Sequence, residues 1–219
     1  MSHRAPQDSV EDPASEFVAA LTSALREYGL DDLSDAQRAQ LARHYVMMRV
    51  WNRRIYLTRI IAPEEAARLH YADSLAGGRL VGAAQTVLDI GSGAGFPAIP
   101  LAVLRPDVQV TALEANQKKS LFLTEAGDAL TLANFKVATA RVETFDLSAF
   151  DLLTSRALDR AEEVLPAVIE RMTERQRFML YGATELLGKL TARLAGDFTV
   201  QTHAIPQSAA RLVAIFSRR

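Results

Sequence analysis

The sequence predicts an α/β fold: a mostly parallel seven-stranded sheet with helices on both faces, preceded by an N-terminal helical cap. Three observations predict it. From residue 86 onward, short apolar or β-branched runs alternate with segments of helical period, the rhythm of a parallel sheet. Residues 87–100, VLDIGSGAGFPAIP, set a glycine-rich turn between a strand and a helix, a unit that cradles nucleotides. Before residue 80 the apolar positions recur at helical spacing only. A length of 219 residues and 49% hydrophobic content suit one such domain plus a small appendage.

The elements follow in order. Residues 1–12 are polar and acidic and are expected to be a disordered tail. Asp12 before Pro13 reads as an N-cap with proline at the first helical position. The helix it opens carries Phe17, Leu21, Ala24, Leu25 and Tyr28 on one face and stops at Gly29. Ser34 with Gln37 forms a capping box that opens a longer helix to Asn52. Pro63 begins a third helix, with Glu64 and Glu65 suited to its dipole, and Gly77–Gly78 are expected to break it. These helices, residues 13–80, form the cap. Residues 81–219 form the sheet domain. Its strands are expected at 86–90, 108–114, 135–139, 151–155, 177–181, 198–203 and 211–217, and its helices at 96–104, 116–129, 159–172 and 184–194. No helix separates the last two strands, which read as an antiparallel hairpin at one edge.

Composition excludes several classes. The absence of cysteine removes disulfides and Cys-ligated zinc. No apolar run approaches the ~20 residues of a membrane span, and no apolar signal core opens the chain. A soluble, monomeric cytoplasmic protein is the expectation. His3, His44, His70 and His203 are too scattered for a metal cluster. Net charge is −1, but its distribution is uneven. Residues 1–37 hold eight acids and two arginines, whereas residues 38–63 hold six arginines and no acid. That stretch is a candidate phosphate surface, to which Arg49, Arg53, Arg54 and Arg59 are assigned.

The turn defines the ligand. A dinucleotide fingerprint on Gly91 and Gly93 needs glycine at position 96, where Phe96 stands. The G-x-G-x-G spacing after Asp89 resembles motif I of class I methyltransferases, which have a Rossmann-like fold and bind S-adenosylmethionine. A cationic sulfonium has no pyrophosphate to neutralise, so acids at the turn are favourable. Cofactor candidates are therefore Asp89, Gly91, Ser92, Gly93, Gly95 and Phe96. Glu114, ending the second strand 23 residues after Gly91, is placed to accept hydrogen bonds from ribose hydroxyls. The loop ARVETF (140–145) brings the amides of Val142 and Glu143 toward an adenine edge. The fourth strand delivers Ser155 and Arg156 to the same crevice, where Arg156 holds either the cofactor carboxylate or an RNA phosphate. Arg156, His70 and Ser155 are the substrate-side candidates, with no certain catalytic residue. His70 alternatively bridges cap and sheet.

Absences narrow the reaction. The N-P-P-Y-like tetrad of many amino-group methyltransferases is missing, SRAL standing in its place, and no cysteine nucleophile exists. Guanine N7 fits what remains. It has an in-plane lone pair and no proton, so catalysis reduces to positioning and desolvation.

The pieces WNRRIYLT (51–58), HYADSL (70–75), VLDIGSGAGFPAIPLA (87–102), EANQKKSLFL (114–123), ARVETF (140–145), TSRAL (154–158) and RLVAIF (211–216) together resemble the bacterial 16S rRNA guanine-N7 methyltransferase G family, also called glucose-inhibited division protein B. The resemblance implies transfer to N7 of a guanine in 16S rRNA, as free RNA or in a small-subunit assembly particle. It implies cofactor contacts at Gly91, Phe96, Val142, Glu143 and Arg156, and a basic pair, Lys118 and Lys119, that meets RNA or forms a solvated helix face. The chain departs from the family pattern at Tyr56, Leu69, Ala94, Ala98, Ala115 and Tyr181, the last removing a basic group expected near the substrate. Two alternatives stay open: a methyltransferase of another RNA or small molecule, and a non-catalytic RNA-binding relative.

Overall fold

The computed structural model describes residues 13–156, 161–194, 196–208 and 210–219. The expected tail, the Asp12 cap, Ala157 and the start of the helix expected at 159 lie outside them. α1 (Pro13–Glu27) buries Phe17, Leu21, Ala24 and Leu25. Gly29 ends it at φ +65°, where Leu30 N–H returns to Leu25 O. α2 (Asp35–Asn52) opens with the complete Ser34–Gln37 capping box.

α3 (Pro63–Ala66), a π-helical turn (Ala67–Ala72) and α4 (Asp73–Gly78) form one continuous helical run. The run ends at Gly78, as expected, with Gly77 and Gly78 as its last two residues. The glycines also serve packing: a Cβ on Gly77 would sit 2.1 Å from the Tyr181 hydroxyl, and one on Gly78 2.8 Å from the Leu104 side chain.

The sheet domain follows the expected order. Its elements are β1 (Thr86–Ile90), α5 (Ala98–Leu104), β2 (Gln109–Leu113), α6 (Gln117–Ala129), β3 (Phe135–Ala138), β4 (Leu152–Arg156), α7 (Ala161–Glu170), β5 (Arg177–Ala183), α8 (Thr184–Leu194), β6 (Phe198–Ala204) and β7 (Arg211–Arg218). The motif helix starts at Ala98, not Phe96. Gly95 and Phe96 N–H both bond Ser92 O and extend the turn.

Strand order is β3-β2-β1-β4-β5-β7-β6. β1 to β5 pair in parallel, and β7 lies antiparallel between β5 and β6. The chain leaves β1 for β2 on one side and reaches β4 on the other. The carboxyl ends of these strands thus flank a topological switch point, where open α/β sheets bind ligands.

Strand side chains alternate between two cores. Val87, Val110, Leu152, Met179 and Val213 face a core shared with α1, α2, α5 and α6. Leu88, Leu113, Leu153, Phe178 and Phe216 face a second core with α7 and α8. The cap is therefore continuous with one sheet face: Phe17, Leu41, Tyr45 and Tyr71 belong to the same core as Val87 and Ile99. Each such buried large apolar side chain contributes about 1.5–3 kcal/mol. Polar ties add to it. Gln37 donates to Val103 O and Gln40 to Leu130 O, while Asp73 accepts from both Tyr28 and Arg211.

Candidate functional site

The turn after β1 takes its shape from backbone chemistry. Gly91, Gly93 and Gly95 have φ of +75°, +54° and +92°, conformations open to glycine at little cost. Gly91 and Ser92 N–H both donate to Leu113 O, fastening the turn to β2. The glycines differ in role. A Cβ on Gly93 would meet nothing nearer than Gly91 O at 3.8 Å, so this position faces free space. A Cβ on Gly95 would lie 2.7 Å from the Ile99 side chain, so Gly95 serves close packing beneath the turn.

Two acids hold this turn. Glu114 accepts from Gly93 N–H at 2.9 Å with one oxygen and from Asn116 N–H at 2.8 Å with the other. It thereby couples the glycine turn to the start of α6, and each oxygen keeps a second acceptor position. Asp89 is fully buried, not at the surface of the crevice. One of its oxygens accepts from Ala98 N–H, and Oδ1 has no partner. Burial raises its pKa to about 7.

A residue with no predicted role completes this wall. His44 of α2 is fully buried, and burial lowers its pKa to about 3. Its Nε2 lies 3.1 Å from Ala94 O, which can only accept, so Nε2 carries the proton. Nδ1 accepts from the Tyr71 hydroxyl at 2.9 Å. The cap thus grips the turn through a neutral imidazole.

The facing wall comes from the cap. Asn52 at the end of α2 accepts from Leu57 and Thr58 N–H and donates to Thr58 O, fixing the segment after the helix. Thr58 Oγ1 lies 2.9 Å from His70 Nε2. His70, on the π-helical turn, stacks on Phe96 at 4.4 Å and 12°. Burial, then the neighbouring Arg156 charge, lowers its pKa to about 3. Arg156 from the end of β4 donates to His70 O, Ser74 Oγ and Leu69 O, and to His70 Nδ1 at 3.0 Å. Its two terminal nitrogens are engaged by the cap, while the side chain also lines the cleft. The π-helical turn presents the carbonyls it binds, and a charged guanidinium buried here requires such partners.

These walls enclose an open cleft of about 870 Å³. The structure brings Gly91, Ser92, Gly93, Phe96, Glu114, Val142, Glu143, Arg156 and His70 to it. The amides of Val142 and Glu143 have no acceptor among the described residues. Arg171 braces their loop by donating to Val142 O and Phe145 O. Asp89 and Gly95 lie beneath the cleft. Ser155 is also fully buried, and its hydroxyl bonds Ile90 O across the sheet, which removes it as a substrate-side group. Tyr181 does not face the cleft either: its hydroxyl donates to Ser74 O at 3.1 Å and its ring packs on α4.

Of the six assigned RNA contacts, Arg59 and Lys119 line the cleft. Arg49 sits over the Tyr45 ring, whereas Arg53, Arg54 and Lys118 are exposed outside it. Among the described residues no ion pair involves Arg49, Arg53, Arg54 or Arg59. Sequence reasoning missed His44, Asn52, Thr58 and Arg171 as site-building residues. Asn52 and Thr58 both lie in the family-like piece WNRRIYLT (51–58), the signal that could have pointed to them.

The description "rRNA small subunit methyltransferase G" belongs to the family model that matches residues 37–204. A Xanthomonas euvesicatoria pv. vesicatoria protein named ribosomal RNA small subunit methyltransferase G is 42% identical over 147 residues, 67% of this chain and 68% of the relative. Its Neisseria meningitidis serogroup C namesake is 44% identical over 138 residues, covering 63% of this chain and 66% of the relative. The chain thus spans about two thirds of the length of these relatives. Among solved structures, a ribosomal protein L11 methylase from Lactobacillus delbrueckii subsp. bulgaricus has a TM-score of 0.55 at 16% identity, covering 67% of this chain and 77% of its own. A precorrin-6y C5,15-methyltransferase from Geobacter metallireducens has a TM-score of 0.52 at 19% identity, covering 75% of this chain and 91% of its own. P. horikoshii TYW2 in complex with MeSAdo has a TM-score of 0.52 at 15% identity, covering 68% and 62%. At these identities the likeness is one of fold.

Proposed function

This chain belongs to the rRNA small subunit methyltransferase G family, and from that premise we propose that it transfers a methyl group from S-adenosylmethionine to N7 of a guanine in 16S ribosomal RNA. The observation that carries the reading is one cleft joining an open glycine turn to the acid Glu114, with cations Arg59 and Lys119 on its rim. The residues fit this cofactor. The cradle at Gly93 has room for a close approach, and the acid beside it, Glu114, suits a cation and would repel a pyrophosphate.

When bound, S-adenosylmethionine supplies an electrophilic methyl on sulfur, which the N7 lone pair takes in line with no proton to remove. The protein's share is positioning and exclusion of water. Glu114 offers its remaining acceptor positions to the ribose, and the free amides of Val142 and Glu143 face the adenine. The stacked Phe96–His70 pair presents a dry surface between cofactor and base. Both buried histidines are neutral and fully engaged, consistent with a reaction that needs no general base. The exposed cations outside the cleft favour an RNA over a small metabolite. Free 16S rRNA or a small-subunit assembly particle is the proposed partner, met in the cytoplasm by a monomer. No described helix is long and apolar enough to cross a membrane.

The test is methyl transfer to small-subunit RNA from a strain lacking the enzyme, with N7-methylguanine mapped by base-specific cleavage. One modified guanine is the expected result. Labelled RNA without N7-methylguanine, or no labelled RNA, refutes the reading.

A further inference from the structure

The cap wall contains a hydrogen-bond chain whose direction is fixed by its first member. A guanidinium has only donors, so His70 Nδ1, 3.0 Å from Arg156 Nη2, is the bare nitrogen and accepts. The neutral ring therefore carries its proton on Nε2 and donates it to Thr58 Oγ1 at 2.9 Å. Ile60 N–H donates to the same oxygen at 3.1 Å. Two acceptances use both lone pairs of a hydroxyl. The Thr58 proton has no acceptor among the described residues, and Thr58 lines the cleft. The hydroxyl is thus held as a donor that cannot also accept. A chain that begins at a cation polarises each successive bond, which strengthens the donor at its end.

Such a group distinguishes purines. The edge of guanine that carries N7 presents two acceptors, N7 and O6, whereas adenine presents N7 and an N6 donor. We propose that Thr58 reads the target base by donating its hydroxyl proton to guanine O6, beside the N7 that takes the methyl; this rests on the guanine-N7 function above. Adenine in the same position would set its amino group against a donor-only hydroxyl. Arg156 and His70 are then positioning residues acting through Thr58.

The experiment first maps the guanine methylated by the wild-type protein; if there is none, the function itself fails and Thr58 is not at issue. An RNA fragment spanning that site is then made with guanine or 6-thioguanine there, since sulfur is a weak acceptor. Wild-type kcat/KM should fall about tenfold on the thio substrate. Thr58→Val should lose about tenfold on guanine and little more on 6-thioguanine, while Thr58→Ser should behave as wild type on both. Val also removes the acceptor for His70 and Ile60, so a general structural loss is expected alongside. Such a loss slows both substrates equally and leaves their ratio at the wild-type value. A wild-type ratio in Thr58→Val, or a Ser variant as impaired as Val, overturns the proposal.

Discussion

The cleft wall at the ends of β1 and β2 is made largely of backbone, whereas the facing wall is made of side chains. On the sheet side, three positive-φ glycines and the carbonyl of Leu113 set the shape, and Glu114 locks it. On the cap side, Asn52, Thr58, His70 and Arg156 form a relay between elements far apart in sequence. Each wall contains one buried neutral histidine, used differently. His44 closes on the turn and ends there, while His70 passes polarity outward. A backbone wall suits a ligand common to a whole fold, and a side-chain wall suits the ligand that differs from one member to another. On the proposed function, cofactor binding falls to one wall and base selection to the other.

The largest effect that tests the division is at Gly93. Valine there carries a side chain into the cradle and a β-branched residue into φ +54°, a strained conformation worth about 1–3 kcal/mol. Cofactor affinity by calorimetry should fall at least a hundredfold while circular dichroism stays native. Retained affinity would place the cofactor elsewhere.

Arg156→Met probes the other wall. It leaves the carbonyls of Leu69 and His70 without this donor, each such loss costing about 1–3 kcal/mol. Stability in urea should drop by about 3 kcal/mol, with a smaller change in cofactor affinity. The reverse pattern would make Arg156 a cofactor ligand and blur the two walls.

Titration compares them directly. His44 and His70 have folded pKa values near 3 against 6.5, so the stability they confer is present above 6.5 and is lost as pH falls toward 3. Asp89 runs oppositely: raised from 3.8 to about 7, its contribution is complete below 3.8 and lost as pH rises through 7. With one unit worth 1.36 kcal/mol, the three leave a net loss of about 2 kcal/mol between about pH 6.5 and 4.5. Asp89→Asn removes the opposing group, and the loss over that interval should grow to about 4–5 kcal/mol. Denaturant melts at the two pH values check both figures, and an unchanged slope in the variant would show Asp89 ionised in the fold.

The smallest effect on stability is expected outside both walls. Arg53→Ala with Arg54→Ala should leave the melting temperature and cofactor affinity unchanged. It should lower the slope of log RNA affinity against log salt by about 1.4–1.8, the share of two phosphate contacts. The rival idea, that these arginines pair with Glu16 or Glu27 of α1, loses support because Glu27 faces Arg68 instead. A lowered melting point with unchanged RNA binding would restore it.

The sheet wall was legible in the sequence because its determinants are local. A strand, three glycines at fixed spacing and an acid after the next strand are all read along the chain. Asp89 and Gly95 were legible as part of the motif but not as buried, since whether a motif residue faces ligand or core depends on what packs beneath it, here Ile99 and His44. The cap wall was largely illegible. Arg156 finds its partners 82 to 87 residues away, and no local pattern announces that a π-helical turn will present its carbonyls there. Ser155 misled because alternation along β4 sends it beneath the sheet surface while its neighbour reaches the cleft. Gly77 and Gly78 were legible as a helix end but not as packing positions, because the side chains that need their missing Cβ atoms, Tyr181 and Leu104, lie well downstream.

The position of β7 has a consequence for biosynthesis. It follows every other strand in the chain yet lies inside the sheet, between β5 and β6. Until it is synthesised, β5 keeps an open edge, the kind of row of unpaired amides that recruits neighbouring chains. Arg211, which pairs with Asp73 of the cap, arrives with the same strand. A nascent chain on the ribosome therefore has its glycine turn early but its cap fully tied down only late. The interval between the two is when the growing polypeptide is most exposed to aggregation and most dependent on chaperones.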